Sequence, residues 1–114
     1  IAKSLAIGNP ASGPFALQTL KTSSGSAVAA PEEEISECIQ LLAETEGIFT
    51  ETAGGVVISS LRKLVKNNKI NSDDITIAFI TGNGLKTQEV IEHTVKYNQI
   101  QPTYKSFEQT INIT

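Results

Sequence analysis

The segment Ile75–Thr81 constrains the chain more than any other stretch. It is an uncharged run of Ile, Thr, Ala and Phe, rich in β-branched residues. Asn71-Ser72-Asp73-Asp74 precedes it as a polar turn, and Gly82-Asn83-Gly84 follows as a tight loop. A continuous apolar run of this kind predicts a strand covered on both faces, the situation found in parallel sheets. It is far too short to cross a bilayer.

The rest of the chain predicts helices around such a sheet. Asn9-Pro10 reads as a helix start, with Asn as cap and Pro at the first helical position, and Ala16, Leu17 and Leu20 form its apolar stripe. Ser23-Ser24-Gly25 ends it, and Ser26–Ala30 reads as a short strand closed by Pro31. Glu32–Glu46 is the clearest helix: Ile35, Ile39 and Leu42, with Cys38 beside them, share one face. Glu32, Glu33 and Glu34 fall in its first turn, where the helix dipole favours negative charge, and Gly47 is placed to close it.

Ile48–Glu51 reads as a second strand, and Thr52-Ala53-Gly54-Gly55 as a turn into a helix over Val56–Asn67 with Val57, Leu61 and Leu64 inward. Thr87–Tyr97 is predicted helical, with Val90, Ile91, Thr94 and Val95 inward. Residues 97–114 form a polar tail in which Ile100, Tyr104, Phe107 and Ile111 are candidate docking residues.

This alternation predicts an α/β fold: three αβα layers, a short and mostly parallel sheet with flanking helices, joined by right-handed crossovers in a single domain over 1–114. Three strands leave a sheet edge and one surface open. That surface is an expected contact for a missing part of the molecule or for a homo-oligomer.

Nine basic residues against twelve acidic ones give a net charge of -3, which argues against a nucleic-acid platform. The single cysteine, Cys38, excludes an internal disulfide and cannot build a metal site alone. Ile1–Gly8 lacks the charged start and long apolar run of a signal peptide, and no membrane contact is expected. With no methionine and Ile1 at its head, the sequence is expected to be a piece of a longer polypeptide.

Two glycine loops lie directly after predicted strands, Thr52–Gly55 and Thr81–Gly84, where ligands of open α/β sheets collect. Glycine there lets backbone N–H groups approach an anion or a flat ring, but it also serves turn geometry alone, and the residues leave both readings open. His93 lies among Glu89, Glu92 and Lys96 as a solvated side chain, and Cys38 sits on an apolar stripe as a core residue. Spacing alone assembles no paired carboxylates and no Ser-His-Asp or Cys-His set.

Taken together, the loops carry more. Ala6-Ile7-Gly8-Asn9-Pro10-Ala11-Ser12-Gly13, Leu41–Phe49, Glu51-Thr52-Ala53-Gly54-Gly55 and Ile80-Thr81-Gly82-Asn83-Gly84-Leu85-Lys86 resemble, in order and spacing, the threonine synthase family. Ile100–Thr103 and Ser106–Glu108 resemble its closing segment, so the likeness covers nearly the whole chain.

The resemblance implies the C-terminal part of a pyridoxal-phosphate enzyme with a tryptophan-synthase-β-like fold. Such an enzyme converts O-phosphohomoserine and water to threonine and phosphate, and a cytoplasmic setting, or a plastid in a plant, goes with it. It implies that Asn9, Pro10 and Ala11 pack beside the cofactor ring, with Ala11 nearest its face. Glu51 would lie at the site floor, and Thr81 would meet the pyridine nitrogen with a neutral hydroxyl. Gly82 and Asn83 would form the turn that lets the backbone pass close to the ring.

The family's Schiff-base lysine and phosphate cup lie upstream of the matching region. None of Lys3, Lys21, Lys63, Lys66, Lys69, Lys86, Lys96 and Lys105 sits in the apolar setting that activates an amine. The chain alone is therefore expected neither to catalyse nor to bind the cofactor, and its partner is the missing N-terminal portion. Alternatives are a related pyridoxal-phosphate dehydratase or cysteine synthase, or a non-catalytic α/β remnant that binds a partner.

Overall fold

Four α-helices carry the regular structure of this protein, for which a computed structural model describes residues 1–111. They are α1 (Gly13–Thr22), α2 (Glu32–Glu46), α3 (Thr52–Lys66) and α4 (Tyr104–Ile111). Short 3-10 turns lie at Lys3–Leu5, Gly84–Lys86, Gln88–Val90 and Glu92–Thr94.

The packed centre is the α2–α3 hairpin. Ile35, Cys38, Ile39 and Leu42 form the buried stripe of α2, as the sequence spacing requires. Gly47 closes α2 at φ 69°, a left-handed conformation that glycine adopts without steric cost, and its N–H donates to the Ala43 carbonyl at 3.0 Å.

The face that α3 buries differs from the expected one. Thr52, Gly54, Gly55, Ile58 and Ser59 are buried, while Val57, Leu61 and Leu64 are only half-buried. The reason is close approach. A Cβ on Gly55 would lie 2.8 Å from the Ile35 carbonyl oxygen and 2.9 Å from Ile39 Cγ1. The bare glycine lets α3 rest directly on the α2 backbone, and this rotates the bulkier side chains outward. The helix also begins at Thr52, with Gly54 and Gly55 inside it rather than in a preceding turn.

Polar links tie the pair together. Ser59 Oγ donates to Glu34 Oε2 at 2.8 Å, and Arg62 Nη1 donates to Glu37 Oε1 at 2.7 Å and to Cys38 Sγ at 3.5 Å. The hydrogen bonds to Cys38 and Glu37, with the charge of Glu37, hold the Arg62 guanidinium above its ordinary pKa.

The expected αβα sheet is not present: among the described residues there is no β-strand, only an isolated antiparallel bridge between Thr50 and Asn83. A strand persists when neighbouring backbone takes up its N–H and C=O groups. Ile75–Thr81 runs without such a neighbour, and no hydrogen bond of its backbone joins another described segment. Ile75, Ile77 and Phe79 are 96%, 75% and 76% exposed, and only Ile80 reaches the core, against Cys38, Leu42 and Ile58. Ser26–Ala30 and Ile48–Glu51 likewise form no ladder. The open sheet surface expected to meet a partner is therefore replaced by exposed apolar side chains on an extended segment.

Two further expectations change. The predicted helix Thr87–Tyr97 is a pair of 3-10 turns. Its inward face is only partly covered, with Val90 and Ile91 half-buried but Thr94 exposed and Val95 55% exposed, and its β-branched residues add little intrinsic helical preference. The polar tail contains α4, whose Tyr104 and Phe107 remain exposed, and its last three residues, 112–114, lie outside the described residues. The Asn9-Pro10 start moves to Ser12–Gly13, with Pro14 in the first turn.

The surface records this lack of cover. It measures 9050 Å², against about 6,100 Å² for a compact monomer of this mass. The radius of gyration is 19.0 Å, against about 13 Å for a compact chain of this length.

Candidate functional site

The segment entering α3 and the glycine loop after Thr81 are stitched together. Gly84 N–H donates to the Phe49 carbonyl at 3.0 Å, and Glu51 N–H donates to the Gly82 carbonyl at 3.1 Å. The same Gly82 carbonyl accepts from Thr50 Oγ1 at 3.0 Å. Thr52 N–H donates to Thr87 Oγ1 at 3.2 Å. Within the loop, Asn83 Oδ1 accepts from the Leu85 N–H at 2.9 Å and so caps the Gly84–Lys86 turn. Among the described residues no buried side-chain nitrogen or oxygen lacks a hydrogen-bond partner; Thr50 and Thr52 are fully buried, and they join the loop through the Thr50 hydroxyl and the Thr52 backbone N–H.

Two glycines make this approach possible. A Cβ on Gly82 would overlap the Glu51 carboxylate, and a Cβ on Gly84 would overlap the Phe49 ring. The Glu51 side chain, 12% exposed, lies over Gly82 with Lys86 Nζ 3.6 Å from its Oε1.

Glu51, Gly82 and Asn83 are thus brought together, with Thr81 adjoining them and exposed. Asn9, Pro10 and Ala11 are exposed in the turn before α1, and no hydrogen bond among the described residues joins that turn to Glu51 or to the glycine loop. Sequence reasoning gives Thr50 and Thr87 no role at the site and reads Lys86 only as a surface residue at a helix start, yet these three fasten or flank the loop. The available signal for Thr50 was Gly54, four residues on, where the missing side chain leaves room for the threonine. For Lys86 it was a cation two residues beyond a glycine loop that faces an acid.

The arrangement offers a hydroxyl beside a fixed loop but no activated amine, since all eight lysines are exposed. No group of three or more His, Cys, Asp or Glu among the described residues is placed to hold a metal ion. No helix among them is long and apolar enough to cross a membrane. The exposed Thr81 hydroxyl could donate to one edge of a flat heteroaromatic cofactor, whereas the side-chain direction of Gly82 is already taken by the Glu51 carboxylate.

Comparison with known proteins agrees with the resemblance seen in the loops. The chain is 43% identical over 86 residues to "Threonine synthase" of Methanocaldococcus jannaschii, covering 75% of this chain and 21% of that protein. It is 37% identical over 98 residues to "Threonine synthase" of Halalkalibacterium halodurans, covering 86% and 28%. With "Threonine synthase" of a Bacillus species the figures are 37% over 90 residues, 79% and 26%. The chain spans about a quarter of the length of these curated relatives. The profile of the family described as "Pyridoxal-phosphate dependent enzyme" matches residues 1–82, a stretch that takes in Asn9, Pro10, Ala11, Glu51, Thr81 and Gly82. With most of its length so matched, the chain belongs to the pyridoxal-phosphate dependent enzyme family.

Proposed function

We propose that this chain forms one wall of the cofactor site of a threonine synthase, an enzyme that converts O-phosphohomoserine and water to threonine and phosphate in the cytoplasm. The observation that carries this reading is the fastened loop: Thr81, exposed, adjoins Gly82, whose carbonyl accepts from both Glu51 N–H and Thr50 Oγ1. When bound, pyridoxal phosphate supplies the electron sink for the reaction. Thr81 presents its hydroxyl to the pyridine nitrogen. A hydroxyl donates a hydrogen bond without surrendering its proton, so the ring nitrogen stays unprotonated, as it would not beside a carboxylate. Gly82 and Asn83 would form the turn beside the ring, and Asn9, Pro10 and Ala11 would pack beside it.

The partner in this reading is the remainder of the same protein. Ile75, Ile77 and Phe79 are the side chains it would cover, and a surplus of about 3,000 Å² over a compact monomer is on the scale of an obligate interface.

The test is Thr81→Val, with Thr81→Ser as its control, in the protein carrying this segment. Valine keeps the shape and removes the donor. Turnover of O-phosphohomoserine should fall about ten-fold or more, the cost of one hydrogen bond to the reacting system, while serine retains most of it. Full turnover in Thr81→Val removes Thr81 from the site. The isolated chain, with its lysines in solvent, should release no phosphate from the same substrate.

A further inference from the structure

Across the glycine loop an acid and a base meet, and the backbone bonds do not require them to. The Glu51 side chain is withdrawn to 12% exposure, whereas Lys86 keeps 65%, and their charged atoms are 3.6 Å apart. The carboxylate lies over Gly82, where a Cβ would overlap it. Lys86 ends a short turn that Asn83 caps and that the Thr87 N–H closes on the Gly84 carbonyl at 3.0 Å. The carboxylate is thus bounded below by Gly82 and on its open side by an ammonium group. A carboxylate withdrawn this far from water is costly without a nearby positive charge. Without Lys86 it would turn out toward solvent and leave Gly82.

We propose that Lys86 and Glu51 are a positioning pair: their charges press the Glu51 carboxylate onto Gly82 and so hold the loop, and Thr81 beside it, at a fixed height. The consequence for Thr81 rests on the proposed contact between its hydroxyl and the pyridine nitrogen; the latch itself does not. Lys86 touches no reacting atom and acts through the loop. Because the pair is half-exposed, its strength is that of a surface ion pair, about a two- to five-fold change in the loop's opening equilibrium.

The test uses Lys86→Met, Glu51→Gln and the conservative Lys86→Arg in the protein carrying this segment, with and without pyridoxal phosphate. Hydrogen exchange is read at the Glu51 and Gly84 amides, whose acceptors are the Gly82 and Phe49 carbonyls, and the absorption maximum of the bound cofactor is read alongside. Lys86→Met and Glu51→Gln should each speed exchange about two- to five-fold and move the absorption maximum, and Lys86→Arg should restore both. Exchange in Lys86→Met equal to that of the parent protein overturns the pair, even where Thr81→Val still moves the absorption. Parent-like exchange in Glu51→Gln overturns the role of charge and leaves the side chain as a steric plug. Faster exchange with an unmoved absorption maximum upholds the pair and removes Thr81 from the ring nitrogen.

Discussion

Replacing Gly54 by alanine probes the junction on which the candidate site rests. The new Cβ would overlap Thr50 Oγ1 and lie 2.7 Å from Thr50 Cβ and Cγ2. Thr50 is fully buried, so its side chain has no free space to swing into, and its hydroxyl is committed to the Gly82 carbonyl at 3.0 Å. Overpacking of this sort costs about 1–3 kcal/mol. Displacing Thr50 also forfeits its hydrogen bond, about 1 kcal/mol. Alanine returns about 1 kcal/mol through its better helical propensity, since Gly54 lies inside α3. The net expectation is a loss of about 1–3 kcal/mol, measured by urea unfolding followed by circular dichroism. Gly8→Ala is the control, because nothing lies within 4 Å of its added Cβ. Adding Thr50→Gly to Gly54→Ala removes all three obstructing atoms, Oγ1, Cβ and Cγ2, so the double variant should recover about 1 kcal/mol or more relative to additivity. A Gly54→Ala protein as stable as Gly8→Ala, or strict additivity in the double variant, would refute the reasoning.

Other substitutions test the hairpin itself. Gly47→Ala should cost about 1 kcal/mol in the same unfolding assay, because φ is 69° there and a side chain is strained in that region. Ile39→Ala removes a side chain with 1% exposure between α2 and α3 and should cost about 2–5 kcal/mol; a loss under 1 kcal/mol would mean that the hairpin is not the packed centre.

The loop resemblance names Glu51, Gly82 and Asn83, and the structure places them near one another: Glu51 N–H donates to the Gly82 carbonyl, and Asn83 bridges to Thr50, contacts that the resemblance could not specify. Lys86 was read as a surface residue, and by exposure it is one; its pairing with Glu51 depends on how two segments more than thirty residues apart come to lie together. Nothing local to either segment encodes that distance.

The sequence by itself determined α2 to the residue, from Glu32 to Glu46, because its signals are local. Acidic residues complement the dipole at one end, a glycine accepts positive φ at the other, and an apolar stripe recurs at helical spacing. It also placed the chain's family, through motifs whose order survives without any contact being known. Only the tertiary structure decided which face of α3 is buried, since glycine's value there lies in the backbone it admits and not in its own hydrophobicity. The fate of Ile75–Thr81 was settled in the same way. Composition gives that run its preference for extended backbone, but a strand exists only where another chain segment takes up its hydrogen bonds, and none among the described residues does.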